Sequence, residues 1–199
     1  MTTFTLQIGG WNLEKIRKAL EGKNVSMSSY AQSMLERVEF QKEKEKVALE
    51  VITLRDWFSE KPTTEEIFSE ARKRGYGLCP AEVGPLFPLQ HTDYDVADCL
   101  TIGMEPLTDS GGSPFVFRVS RVGSGLELRG GWASPGGRWG ADDRFLFCVL
   151  KPSTLHPSNT VSLGLCDTSA RLNSIEYILQ TEIPDKEKLG MIERLCRSF

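Results

Sequence analysis

Apolar and polar residues alternate at Phe4-Thr5-Leu6-Gln7-Ile8. This is the period-2 signature of a strand with one buried face, and Gly9-Gly10 closes it as a turn. From Asn12, a good N-cap, Leu13, Ile16, Ala19 and Leu20 recur at helical spacing, and Gly22 supplies the stop. Ser28 or Ser29 caps a second helix whose apolar stripe is Tyr30, Ala31, Met34, Leu35 and Val38. Two short helices with a tight link predict an αα-hairpin packed on a sheet. A DNA-binding helix-turn-helix is the weaker reading, because the outer face (Gln32, Glu36, Arg37) is not basic. The charge-alternating run Glu39 to Lys46 predicts a solvated helix end or linker. The β-branched run Val47 to Leu54 predicts a strand. Thr63 then caps a third helix. Glu65 and Glu66 fill its first turn, Ile67, Phe68 and Ala71 face inward, Arg72 to Arg74 fill its last turn, and Gly75 stops it.

The stretch Cys79 to His91 breaks this regularity. Its prolines 80, 85 and 88 argue against a helix and against a central strand, yet Val83, Leu86, Phe87 and Leu89 are apolar. A rigid, partly buried junction loop is the expectation. Strand patterns follow at Cys99 to Met104, Phe115 to Val122, Leu126 to Trp132 and Arg144 to Leu150, with a hairpin at Gly123-Ser124-Gly125. Phe115, Phe117 and Val119 point to one face, Arg118 and Ser120 to the other. Short loops between consecutive strands predict an antiparallel meander. The fold class expected is therefore α+β: N-terminal helices and a central helix packed on an antiparallel β-meander, with a C-terminal helical appendix. The organisation expected is 1–60 as a mixed helical region, 61–151 as the Pro-rich loop and sheet joined to it in one domain, and 152–199 as the appendix. Helices are anticipated at Asn173 to Gln180 and Asp185 to Arg197.

Composition adds limits. The 199 residues are 40% hydrophobic and 26% charged, with a formal net charge of -3, so nucleic acid is not the expected partner. No apolar run approaches the roughly 20 residues of a membrane span, and Met1 to Gly10 lacks the pattern of a signal peptide. A cytoplasmic address is the expectation. The five cysteines are dispersed at 79, 99, 148, 166 and 196, which fits free thiols better than a disulfide framework. His91 and His156 lie at no zinc-ligand spacing. Neither a phosphate-binding loop nor a hydrolase elbow occurs, so no metal and no cofactor is expected.

Two clusters could carry chemistry. Cys79, Glu82, His91, Asp93 and Asp95 hold a thiol, a base and carboxylates within a short stretch, the types a cysteine nucleophile requires. The competing and preferred reading makes Cys79 a packing thiol and gives Glu82 the task of satisfying backbone N–H groups within the proline-broken loop. Trp132, Arg138, Trp139, Asp142 and Asp143 could bind a sugar or a cationic peptide. The competing reading has the tryptophans plugging the open sheet edge and Asp142 capping a turn.

The residues Cys79-Pro80-Ala81-Glu82-Val83-Gly84-Pro85, Leu89-Gln90, Ile102-Gly103-Met104-Glu105, Gly131-Trp132-Ala133-Ser134-Pro135, Trp139, Asp142 and Phe145-Leu146-Phe147 resemble the pattern of a family of small uncharacterised bacterial proteins. That family shares a C-P-A-E-V-G-P loop and a G-x-W-A-x-P…W…D-x-x-F-x-F block. The resemblance spans residues 4 to 150 and implies no particular activity. The pattern's Arg falls on Pro88 and its Tyr on His91, where a function tied to that Arg would differ. The function expected is a non-catalytic binding or accessory protein for a protein or small-molecule ligand, with Glu82, His91, Trp132, Arg138, Trp139 and Asp142 as ligand contacts. The alternative is a small hydrolase or transferase using Cys79 and His91, with Asp93.

Overall fold

The computed structural model describes residues 2–92, 99–108, 112–123 and 125–150. Asp93, Asp95, Ser124 and the anticipated C-terminal appendix lie outside the described residues. Strands β1 (Thr2–Ile8), β2 (Val25–Met27), β3 (Glu45–Thr53), β4 (Tyr76–Gly77), β5 (Cys99–Ile102), β6 (Leu107–Thr108), β7 (Pro114–Val122), β8 (Gly125–Trp132) and β9 (Arg144–Val149) form one sheet. Helices α1 (Leu13–Gly22), α2 (Ser29–Leu35), α3 (Thr64–Lys73) and α4 (Val83–Gln90) pack on it.

The antiparallel meander is not what forms. The strand order is β1-β3-β9-β5-β7-β8-β2, with β4 added to β9 and β6 to β7. Two ladders are parallel, β5 with β9 and β2 with β8. The sheet is therefore mixed, and strands from both ends of the described chain interleave within it. The helices do not form a separate N-terminal layer either, since β1 and β3 pair across seven positions. The αα-hairpin gives way too, because the link between α1 and α2 is itself strand β2.

Topology departs from the meander at the connection Ala133 to Asp143. Helix α3 begins with Thr63 as a full capping box with Glu66. A helix start leaves further N–H groups without intrahelical partners. Here Thr64 N donates to Gly137 O (3.0 Å) and Glu65 N to Pro135 O (3.1 Å). Trp139 N donates to Pro62 O (3.0 Å), and Trp139 Nε1 to Thr64 Oγ1 (2.9 Å). The connection is thus bound across the start of α3. It delivers β9 between β3 and β5 instead of beside β8.

The Pro-rich stretch is also different from the expected loop. Residues Val83 to Gln90 are helical and Val83 to Pro88 are all buried. Pro85 falls in the first turn, where its missing N–H would have had no helical partner. Only Pro88 occupies a position where an intrahelical bond is lost. Gly84 is required by proximity: a Cβ there would sit 2.4 Å from the Phe117 ring.

Register sorts the core. One face carries Leu6, Leu49, Leu146, Ile102, Leu100, Phe117, Val119 and Leu128, all buried. Helix α4 lies on this face, with Phe87 edge-on to Phe4 at 5.3 Å, and α2 joins it through Tyr30 stacked on Phe115. The opposite face holds Phe145 and Phe147, met by Trp139 (4.8 Å), Trp57 (5.9 Å) and Phe68 (6.4 Å). The Pro-rich segment and Trp139 therefore occupy opposite faces of the sheet.

Candidate functional site

Cross-strand register on the Trp139 face builds two rows. In the first, Ile52, Phe145, Thr101, Arg118 and Arg129 stand side by side on β3, β9, β5, β7 and β8. In the second, Cys99, Ser120 and Glu127 stand side by side on β5, β7 and β8. Along the first row the chemistry changes from apolar to polar at β5, and the second row is polar on β7 and β8. The result is a polar sheet face made of Cys99, Thr101, Arg118, Ser120, Glu127 and Arg129, bordered by Asp143.

Thr101 is 0% exposed and Ser120 6% exposed. The hydroxyl oxygen of each is buried without a hydrogen-bond partner, and so is Arg118 Nε. Buried polar groups are normally paired, because an unmade hydrogen bond costs about 1–3 kcal/mol. Arg118 is positioned by its stem and its head. Its stem runs across Gly131, where a Cβ would come within 2.4 Å of Cδ. Its guanidinium carbon lies 5.5 Å from the Trp139 ring centre, and Nη2 is 3.5 Å from Asp143 Oδ1. Asp143 is itself anchored, accepting from Gly140 N through Oδ2 at 2.7 Å. Arg129, more exposed, pairs with Glu127 at 3.4 Å. Burial pushes the Cys99 thiol up; Arg118 and then Arg129 oppose that rise, and Asp143 adds to it. Cys99 is thus a neutral thiol at neutral pH, a weak donor beside a guanidinium.

The residues singled out from the sequence are scattered by the fold. Cys79 is buried, its Sγ 3.4 Å from Leu146 O and 3.7 Å from Cys148 Sγ. Burial pushes its thiol well above the ordinary value, the opposite of what a nucleophile requires. The His91 ring packs instead against Phe4 and Phe87, at 4.9 and 5.1 Å. No Cys79–His91 hydrogen bond is present among the described residues. Glu82 is 0% exposed, and its carboxylate accepts from Gly9 N (3.0 Å) and Gln41 N (3.3 Å). It satisfies backbone donors, though in two other segments of the chain instead of its own loop.

The tryptophan cluster also divides. Trp132 is 61% exposed and Trp139 buried. Arg138 Nη1 donates to Lys61 O at 2.6 Å and borders a polar cleft of about 720 Å³ beside Trp57, Lys61 and Glu66. Asp142 pairs with Arg55. Of the six expected ligand contacts, Trp139 alone joins the polar sheet face, as the surface beneath Arg118. The sequence offered one signal for that face, the alternation of Arg118 and Ser120 opposite the apolar positions of β7. Their neighbours Cys99 and Thr101 become visible only through the register.

His91 makes one prediction about stability. Burial lowers its pKa below the ordinary 6.5, against a smaller opposing contribution from the Thr5 backbone. The folded state thus binds a proton less readily than the unfolded state. Stability is fully present above the unfolded pKa and is lost as pH falls through the folded value. Urea midpoints should decline as pH drops below about 6.5, and His91→Phe should flatten that decline. An unchanged pH slope in the variant would assign the decline to other groups.

No family model, no curated protein and no solved structure matches this chain. Among the described residues, no helix is long and apolar enough to cross a membrane, and no group of three or more His, Cys, Asp or Glu side chains is gathered to hold a metal ion.

Proposed function

We propose that this protein is a non-catalytic binding protein whose ligand is a small oxyanion, a carboxylate or a phosphate, held on the polar sheet face at Arg118. The observation that carries this reading is the convergence of three buried, unpartnered polar atoms, Thr101 Oγ1, Ser120 Oγ and Arg118 Nε, on neighbouring register positions. All three groups can donate, and the nearby Cys99 thiol is a fourth donor. A donor-rich site calls for an acceptor-rich ligand, and a guanidinium suits a planar or tetrahedral oxyanion best. The bordering acceptor Asp143 accepts from Gly140 N and lies 3.5 Å from Arg118 Nη2, so it only partly engages Arg118. The carboxylates of Asp143 and Glu127 are engaged by Arg118 and Arg129, and burial raises the Cys99 thiol, which supports a ligand that is held and not transformed.

The test is thermal unfolding of the full chain in phosphate, sulfate, acetate, succinate and citrate, with chloride at matched ionic strength. A ligand that binds only the folded state raises the melting temperature. At least one oxyanion should stabilise the native protein. Arg118→Met keeps a stem on Gly131 but removes the donors, and should weaken that oxyanion's binding by about tenfold or more. Equal shifts in both proteins, or none in the native protein, would overturn the proposal.

A further inference from the structure

Cys79 and Cys148 form a second feature, independent of the polar sheet face and on the other side of the sheet. Their sulfurs are 3.7 Å apart. The backbone holds them there. Cys148 is paired with Gly77 in the β4–β9 ladder. Cys79 donates its N–H to Gly103 O at 2.7 Å and bridges Met104. Cys79 is also part of the wall of a cleft of about 550 Å³, together with Arg37, Phe40, Gln41, Pro80 and Leu107. The cleft opens at Cys79, whose sulfur is 3.7 Å from that of Cys148.

We infer that Cys79 and Cys148 are a reversible disulfide site, oxidised by a hydroperoxide and reset by a small dithiol. A disulfide requires sulfurs about 2.05 Å apart, so the pair at 3.7 Å must close by about 1.7 Å. The two thiols differ in character. The Cys79 thiol alongside holds Cys148 below its ordinary pKa, against burial, whereas burial pushes Cys79 up. The sulfurs sit within reach of one another, and Cys148 is assigned the first attack. Its thiolate takes the distal peroxide oxygen, the O–O bond breaks, and the other oxygen leaves as water or an alcohol after protonation. Cys148 is then a sulfenic acid. The Cys79 sulfur attacks it, the S–O bond breaks, and hydroxide leaves with the Cys79 proton as water. Two thiols are oxidised by two electrons and one peroxide is reduced. A dithiol reverses the change by exchange through a mixed disulfide.

The experiment treats the native full-length chain with hydrogen peroxide, blocks remaining thiols and maps cross-linked peptides by mass spectrometry. The expected outcome is loss of two titratable thiols and a Cys79–Cys148 link as the dominant product, absent after dithiothreitol and no longer dominant when the oxidation is done in urea. In Cys79→Ser the sulfenic acid has no partner, so dimedone should label Cys148. A native chain that oxidises at Cys99, Cys166 or Cys196 while Cys79 and Cys148 stay unlinked would overturn the inference. So would a folded Cys79→Ser protein whose Cys148 takes no dimedone. Should that variant fail to fold, the peptide map of the native chain decides alone.

Discussion

Glu82→Ala should lower the unfolding free energy by about 3–5 kcal/mol, close to the largest effect a single side chain of this size can have. The carboxylate is 0% exposed and accepts two backbone N–H groups from distant segments, Gly9 after β1 and Gln41 before β3. Each charge-assisted bond contributes about 1.5–3 kcal/mol. Alanine removes both and leaves both donors without that acceptor, one of them fully within the interior. Those segments also join directly, Gly10 N donating to Gln41 O at 2.8 Å. Glu82 therefore locks the end of β1 and the approach to β3 to the start of α4. Glu82→Gln should cost about half as much, since its amide oxygen still accepts one bond while its NH2 group faces the other donor. Urea unfolding checks both, through a lowered midpoint at unchanged slope. A loss below about 1 kcal/mol for Glu82→Ala would show that water replaces the carboxylate at no great cost.

Gly9→Ala should be comparably damaging, at about 3 kcal/mol or more. Gly9 has φ +78°, in the left-handed region where an L side chain costs roughly 1–2 kcal/mol. Its missing Cβ would also lie 1.8 Å from Glu43 O, a backbone atom that yields only if the loop before β3 moves. That movement pulls Gln41 and Gly9 away from Glu82. The two substitutions therefore disrupt one unit. The Gly9→Ala/Glu82→Ala double variant should be less destabilised than the sum of the singles, by about 1 kcal/mol or more. Strict additivity would separate the glycine's conformational role from the carboxylate's.

These two residues show what a sequence reading reaches. Glu82 stood out in a proline-broken segment, and satisfying backbone donors was a legible role for it. Which donors it serves was not, because Gly9 and Gln41 lie 73 and 41 positions away. Cys79 was read as a packing thiol, and its contact Cys148, 69 positions distant, was not legible. The polar sheet face was the least legible feature. Each member is an unremarkable strand residue, and the cluster exists only because β5 and β7 pair with Thr101 opposite Arg118 and Cys99 opposite Ser120.

Local chemistry along the chain marked α1 to α3 and the longer strands, but not the short strands β2, β4 and β6. Thr63, Glu66 and Gly75 delimit α3, and period-2 alternation marks β1 and β7, because caps and side-chain alternation act within a few residues. Even there, the prolines of α4 misled. A first-turn proline costs no hydrogen bond, and a buried apolar segment gains enough from packing to keep its helix. Strand order was beyond local reach. Alternation states that a strand has two faces, not which neighbour it takes. That choice fell to contacts distant in sequence. The Ala133–Asp143 connection is bound to the start of α3, inserting β9 between β3 and β5, and β2 adds in parallel to β8. The same register brings donors from separate strands onto one face, so the site proposed here is a property of the folded sheet.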